Sequence, residues 1–189
     1  MNQKIKALVL LTAIVHAGCA PILIGTGVET VLVARDPRTS GTQFEDQAIA
    51  QKFSTQLKQK IQHAESVHIN ATSYNRRVLL TGEVPNQNTA EQVTEIARKI
   101  ENVEHVFNEL AIQAPSSISQ RSADALVTMK VKSSLLINAP SMSDSMKVVT
   151  ESGIVYLLGI APEKTTQQAI DIIRGIGGVK RVVLLIEKK

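Results

Sequence analysis

Cysteine, histidine and paired carboxylates are the side chains from which an active site is built, and this chain spaces them too thinly to make one. Among its 189 residues are one Cys, at position 19, and four His. His63 and His68 stand five apart across an expected helix-to-strand junction, and His105 is isolated. With no second thiol, none of these fits the ligand spacing of a zinc site, and each histidine reads as a surface or structural residue. Asp124 and Asp171 have no partner carboxylate at a spacing suited to acid–base work. Gly175-Ile176-Gly177-Gly178 lacks the spacing of a dinucleotide loop and falls after a helix and before a strand, the reverse of that motif. It reads as a helix stop, Gly supplying a left-handed conformation. The expectation is a protein that is not an enzyme, with no metal and no small-molecule substrate. What remains is chemistry done to Cys19, and the physical chemistry of surfaces.

Lys4 and Lys6 precede an apolar run from Ala7 to Val15, followed by His16-Ala17-Gly18-Cys19. A charged start, a short apolar stretch and small residues at its exit make a secretory signal. The run is shorter than the about 20 apolar residues of a membrane span, and extending it would carry His16, Pro21 and Glu29 into lipid. One reading is an ordinary secreted protein with a free thiol near its start. The other follows from Ala17-Gly18-Cys19, which resembles the lipobox of bacterial lipoproteins, with His16 where that pattern prefers Leu. That resemblance implies that residues 1–18 are a signal peptide and that Cys19 becomes the N-terminus, carrying N-acyl and S-diacylglycerol chains and no other cofactor. Ala20 stands where an Asp would argue for retention at the inner membrane. Similarity to enterobacterial-type sorting then implies the periplasmic face of the outer membrane of a Gram-negative cell. Residues 19–45 mix Gly, Thr, Ser, Pro and charges, with a turn at Asp36-Pro37-Arg38, and read as a flexible tether. A coil of that length reaches about 28 Å on average, enough for the domain behind it to touch the bilayer.

Beyond the tether one pattern is written twice. Val78-Leu79-Leu80-Thr81-Gly82 returns as Val155-Tyr156-Leu157-Leu158-Gly159, each with a Pro three residues after its Gly (Pro85, Pro162). Each reads as a strand running into a turn. Upstream, Asp46, Ile49, Phe53 and Leu57 are echoed by Asp124, Val127, Val131 and Leu135. Downstream, Val103-x-x-Val106 is echoed by Val179-x-x-Val182. One small domain is used twice.

Periodicity predicts a helix over 46–62 in the first copy, with Asp46 at its start favoured by the helix dipole. Strands over 67–73 and 77–83 follow, joined around Tyr74-Asn75-Arg76. A helix over 86–101 is capped by Asn86 or Asn88 and turns Val93, Ile96, Ala97 and Ile100 inward, and a strand over 104–112 closes the copy. The second copy gives a helix over 122–137, strands over 146–151 and 154–159 with a turn at Glu151-Ser152-Gly153, a helix over 163–175 and a strand over 179–187. Pro115-Ser116-Ser117-Ile118-Ser119 is a short polar linker. A unit of roughly 70 residues buries only about 60% of its unfolded surface, so the copies are expected to lean on each other.

The order helix, strand, strand, helix, strand, with Gly closing the second strand and Val-x-x-Val opening the last, resembles the BON domain. Two such domains behind a lipobox resemble the dual-BON outer-membrane lipoproteins of Gram-negative bacteria. Asp36-Pro37-Arg38-x-x-Gly41-Thr42-Gln43, Val103-x-x-Val106-x-Asn108 and Gly178-Val179-Lys180-Arg181-Val182 add to the match, although Leu184 stands in the second copy where the first has Asn108. The resemblance implies an α+β fold of two tandem domains, 46–113 and 121–189, each with its helices packed on a small three-stranded mixed sheet. It also implies outer-membrane attachment, phospholipid binding and a supporting role in envelope integrity and cell division.

The copies differ in what they turn outward. Of the net charge of +4, residues 1–19 carry +2, residues 20–45 −1, residues 46–112 −1 and residues 121–189 +4, a balance that suits an anionic partner. Opposite its inner stripe the first helix of the first copy carries Ala48, Gln51, Lys52 and Thr55. The second copy places Leu126, Met129, Lys130 and Ser133 there, with Lys132 and Leu136 towards one edge. Apolar tips flanked by ammonium groups suit a surface that dips into phosphatidylglycerol or cardiolipin headgroups. The alternative is that Leu126 and Met129 pack on the first domain. Nucleic acid suits the charge alone, but aromatics make up only 3% of the chain, too few for a base-stacking strand platform, and a secretory signal removes the chain from it. A protein-docking scaffold for outer-membrane assembly or division proteins, without lipid contact, remains the other functional class.

Overall fold

The computed structural model describes residues 36–61 and 66–188. Cys19, the signal segment, the tether up to residue 35 and His63 lie outside the described residues. In the first copy the elements are α1 (Ser40–Lys60), β1 (His68–Tyr74), β2 (Arg77–Val84), α2 (Gln87–Arg98) and β3 (His105–Ile112). In the second they are α3 (Ile118–Asn138), the short α4 (Pro140–Ser143), β4 (Met146–Glu151), β5 (Ile154–Ala161), α5 (Glu163–Arg174) and β6 (Arg181–Lys188). The order is the expected one, with α4 added. Each copy forms its own sheet, ordered β1-β2-β3 and β4-β5-β6, antiparallel on the hairpin side and parallel on the other.

Both long helices begin earlier than the apolar stripe indicates. Thr39 caps α1 by accepting from the Thr42 amide at 3.1 Å. Asp46 is therefore not at a helix start. It sits inside α1, 1% exposed, and accepts from the Asn75 and Arg76 amides at 2.8 and 2.9 Å and from the Ser73 hydroxyl. Asp124 does the same in α3, accepting from the Ser152 and Gly153 amides at 2.9 and 2.8 Å. Each aspartate thus clamps its hairpin turn to the helix above it, and each turn has two left-handed residues: Asn75 and Arg76, Ser152 and Gly153. That is the conformation a two-residue hairpin needs.

Residues 36–45 belong to the folded body rather than to the tether. Arg38 bonds Asp36 at 2.7 Å and Asp46 at 2.8 Å and lies 3.9 Å above the Tyr74 ring. The linker is likewise docked: Ser116 is buried, and Ser117 caps α3. Gly82 does not end its strand. It lies within β2 at φ 111°, where an added Cβ would meet the His68 carbonyl oxygen, so the glycine permits close approach of β1. Among the glycines expected to stop α5, Gly175 is right-handed, and the left-handed residue is Gly178.

In each copy the helices cover one face of the sheet. Ile49, Phe53, Val78, Leu80, Val93 and Ile96 form one core; Val127, Val131, Leu135, Val155, Leu157 and Ile173 form the other. Side chains alternate along a strand, so Leu79 of β2 and Tyr156 and Leu158 of β5 point the opposite way, into a third cluster with Tyr74. The two sheets therefore face each other, which is why both central strands read as continuous apolar runs. Polar links close the seam: the Tyr74 hydroxyl donates to the Ser145 carbonyl at 2.8 Å, and Lys147 Nζ donates to the Ser73 carbonyl at 2.8 Å. The copies lean on each other through their sheets and leave the helices outermost.

Candidate membrane interface

α3 is started by a reciprocal cap. The Gln120 amide donates to Ser117 Oγ at 3.2 Å, and the Ser117 amide donates to Gln120 Oε1 at 2.8 Å. Val127, Val131 and Leu135 then bind the helix to its sheet, with Asp124 fixing its rotation through the β4–β5 turn. At 100° per residue this stripe leaves Leu126, Ser133 and Leu136 pointing away from the protein, while Met129, also exposed, borders an open groove shared with Thr128 and Val148. Leu126 is 55% exposed, Met129 61% and Leu136 58%. Neither Leu126 nor Met129 is sealed beneath the first domain.

Ile118 and Ile137 share this outward face at 76% and 77% exposure. The apolar strip therefore runs from Leu126 to Ile137, about 16 Å at 1.5 Å per residue, with Ile118 set apart from it by Ser119 and Ser122 on the same face. Sequence reasoning missed Ile118 because it started the helix at 122; the signal was Ser117-x-x-Gln120, a capping box that begins five residues upstream. Lys130 flanks the strip on one side and Lys132 on the other, both exposed along with Ser133. Among the described residues neither lysine enters a salt bridge. Lys52, the counterpart of Lys130 in α1, is paired with Glu101 at 3.0 Å. At the position equivalent to Glu101 the second copy has Gly177, so the anion that occupies Lys52 has no counterpart beside Lys130.

The arrangement is a rigid apolar strip between two unneutralised cations, with no nucleophile or acid–base pair on it. The match of the BON-domain family to residues 45–114 and again to residues 123–187 decides the classification. The chain belongs to the BON-domain family. It is 37% identical over 180 residues to the outer membrane lipoprotein DolP of Haemophilus influenzae, covering 95% of this chain and 93% of that protein. It is 32% identical over 151 residues to a 21 kDa hemolysin of Actinobacillus pleuropneumoniae, covering 80% and 78%. CdsD, a structural protein of the type III secretion system of Chlamydia trachomatis, aligns at 10% identity with a TM-score of 0.32 over 75% of this chain and 92% of that chain, a likeness too slight to bear on the fold.

The dual-BON, DolP-type relationship makes this chain an outer-membrane lipoprotein, and the two relatives are named as a lipoprotein and a hemolysin, not as enzymes. The BON sheets bury their strands against each other, so in this pair of BON domains the helices supply the outer faces. No helix among the described residues is long and apolar enough to cross a membrane. The strip on α3 is a surface feature.

Proposed function

We propose that this protein is a non-enzymatic lipoprotein whose second BON domain reads anionic phospholipid through α3 at the periplasmic face of the outer membrane. The observation that carries this reading is the outward strip of Leu126, Met129 and Leu136, each more than half exposed, between Lys130 and Lys132. Contiguous exposed apolar surface rimmed by polar groups marks an interaction site, and cationic flanks select an anionic one. Ser133 adds a small hydroxyl between the apolar tips, suited to a headgroup oxygen. Acyl chains on Cys19, at about 0.8 kcal/mol per buried CH₂, supply the attachment. The helix supplies orientation and lipid choice: each lysine near an anionic surface contributes about 1 kcal/mol, and each apolar side chain that becomes buried about 1.5–3 kcal/mol. A protein held at an anionic leaflet in this way supports envelope integrity and cell division by marking or recruiting to particular lipid regions.

The test is flotation of a soluble form without residues 1–19 on vesicles containing phosphatidylglycerol or cardiolipin. The unsubstituted form floats with anionic vesicles and not with neutral ones. Leu126→Glu with Met129→Glu loses flotation while keeping its circular dichroism, a drop in affinity of about 10²–10⁴-fold from the apolar terms above. Ala48→Glu with Gln51→Glu, at the matching positions of α1, floats like the parent. Absence of binding to any anionic vesicle would instead favour docking of α3 on an envelope protein.

A further inference from the structure

We propose that His68, Glu83 and Glu151 form a binding site for a divalent first-row transition ion, Zn²⁺ in the first instance, that ties the two BON domains together. The seam between the sheets brings equivalent residues of the two copies together at its two ends. Tyr74 meets Ser145 at one end. Their counterparts, Glu151 and His68, meet at the other, with His68 Nδ1 3.8 Å from Glu151 Oε1. At that second end Glu83 stands where the first end has the apolar Ile160. A hydroxyl, a carbonyl and an apolar side chain therefore suffice to close a seam of this geometry, and packing does not require two carboxylates and an imidazole.

Glu83 is 0% exposed and Glu151 8%. Glu83 Oε2 lies 3.1 Å from His68 Nδ1 and accepts from the Ser116 amide at 3.0 Å, while Glu83 Oε1 meets no hydrogen-bond partner among the described residues. Leaving a charged oxygen buried and unpartnered is costly, and a cation satisfies it. The three donor atoms lie within 4.8 Å of one another. Ligands at 2.0–2.2 Å from a tetrahedral Zn²⁺ stand about 3.4 Å apart, so small side-chain adjustments bring them into range. Asn70 donates to Glu151 Oε2 at 3.3 Å and the Ser116 amide holds Glu83, the outer-shell support that orients ligating carboxylates. An open groove of about 380 Å³, lined by His68, Arg121, Thr128, Met129 and Glu151, gives water access to the remaining coordination position.

The experiment is titration of the metal-stripped mature chain, in detergent, with ZnCl₂ near neutral pH. One equivalent binds, and the thermal midpoint rises with Zn²⁺ and falls again with chelator. His68→Asn and Glu151→Gln each weaken Zn²⁺ affinity by about tenfold or more, whereas His63→Asn with His105→Asn leaves it unchanged. If the seam variants misfold, Co²⁺ bound to the parent protein broadens the His68 ring resonances before those of His63 and His105. Failure of the parent to bind Zn²⁺, parent-like affinity in His68→Asn, or Co²⁺ broadening centred on His63 or His105 overturns the proposal.

Discussion

α1 and α3 are the same element built twice and finished differently. Both are 21 residues long, both are capped by a hydroxyl side chain, and both pack a stripe of three large apolar groups on a three-stranded sheet, fully buried in α3 and with Leu57 half-buried in α1. Their outer faces part company: Ala48, Gln51, Lys58 and Gln59 in α1 correspond to Leu126, Met129, Leu136 and Ile137 in α3. Since α1 folds onto its sheet with an outer face whose one large exposed apolar group among the described residues is Phe44, against Leu126, Met129, Leu136 and Ile137 on α3, nothing in the BON core asks for the apolar group on α3. An exposed Leu or Met on a soluble helix needs no explanation singly, but a continuous strip does. What the pair teaches is that packing accounts for the inner residues of both helices and for the outer residues of only one.

The comparison breaks most sharply at the shared aspartate. Asp46 holds two amides, a hydroxyl and the Arg38 guanidinium, whereas Asp124 holds two amides. Asp46→Ala leaves Arg38 without one of its two carboxylates and is expected to cost about 3–5 kcal/mol. Asp124→Ala is expected to cost about 1–3 kcal/mol. Urea denaturation midpoints of the two variants check the order, and equal losses would mean that the docked segment around Arg38 adds nothing.

A smaller effect sharpens the contrast between the cations. Lys130→Gln with Lys132→Gln removes about 2 kcal/mol of attraction to anionic vesicles, a drop of about 30-fold at low salt that shrinks as salt is raised. Lys52→Gln with Lys58→Gln leaves vesicle binding as it was, because α1 does not face the leaflet. Co-sedimentation at two salt concentrations reads both.

The smallest effect lies in the seam. The chain has only two tyrosines, Tyr74 and Tyr156, one from each copy, and both are buried between the sheets. Burial, with the Glu109 charge second, pushes Tyr156 up to about 12. Burial and then the Asp36 charge push Tyr74 higher still. A phenol whose folded value is raised contributes stability that is fully present below its unfolded value near 10 and is lost as pH rises through the folded one. Tyrosinate absorbance is therefore expected to appear only as pH approaches 12, Tyr156→Phe removing the earlier step, and the sheets to separate over the same range. Ionisation of either tyrosine near pH 10 in the folded chain would contradict a dry seam.

Much of this was legible in the chain. The duplicated Val-x-Leu runs, the period-four stripes and the Gly and Pro punctuation yield the element order and both sheets, because each feature acts locally. The outward positions of Leu126, Met129 and Leu136 followed from helical geometry once the inner stripe was known. Ser40 and Ile118 were not legible as helix starts, since caps made by Thr39 and Ser117 lie outside the apolar pattern. Asp46 and Asp124 recurred at equivalent positions, but their partners sit in turns 28–30 residues away. The His68, Glu83 and Glu151 cluster was hidden for the same reason: its members lie on three strands of both domains, and only the face-to-face sheets bring them together.

Lipid contact by α3 is tested most directly by amide relaxation of the isotope-labelled protein on phosphatidylglycerol bilayers carrying spin-labelled lipid. The account predicts strongest broadening at Leu126, Met129, Ser133 and Leu136, with Ala48 and Gln51 untouched. Broadening centred on α1, or bilayer binding that spares α3, would contradict it.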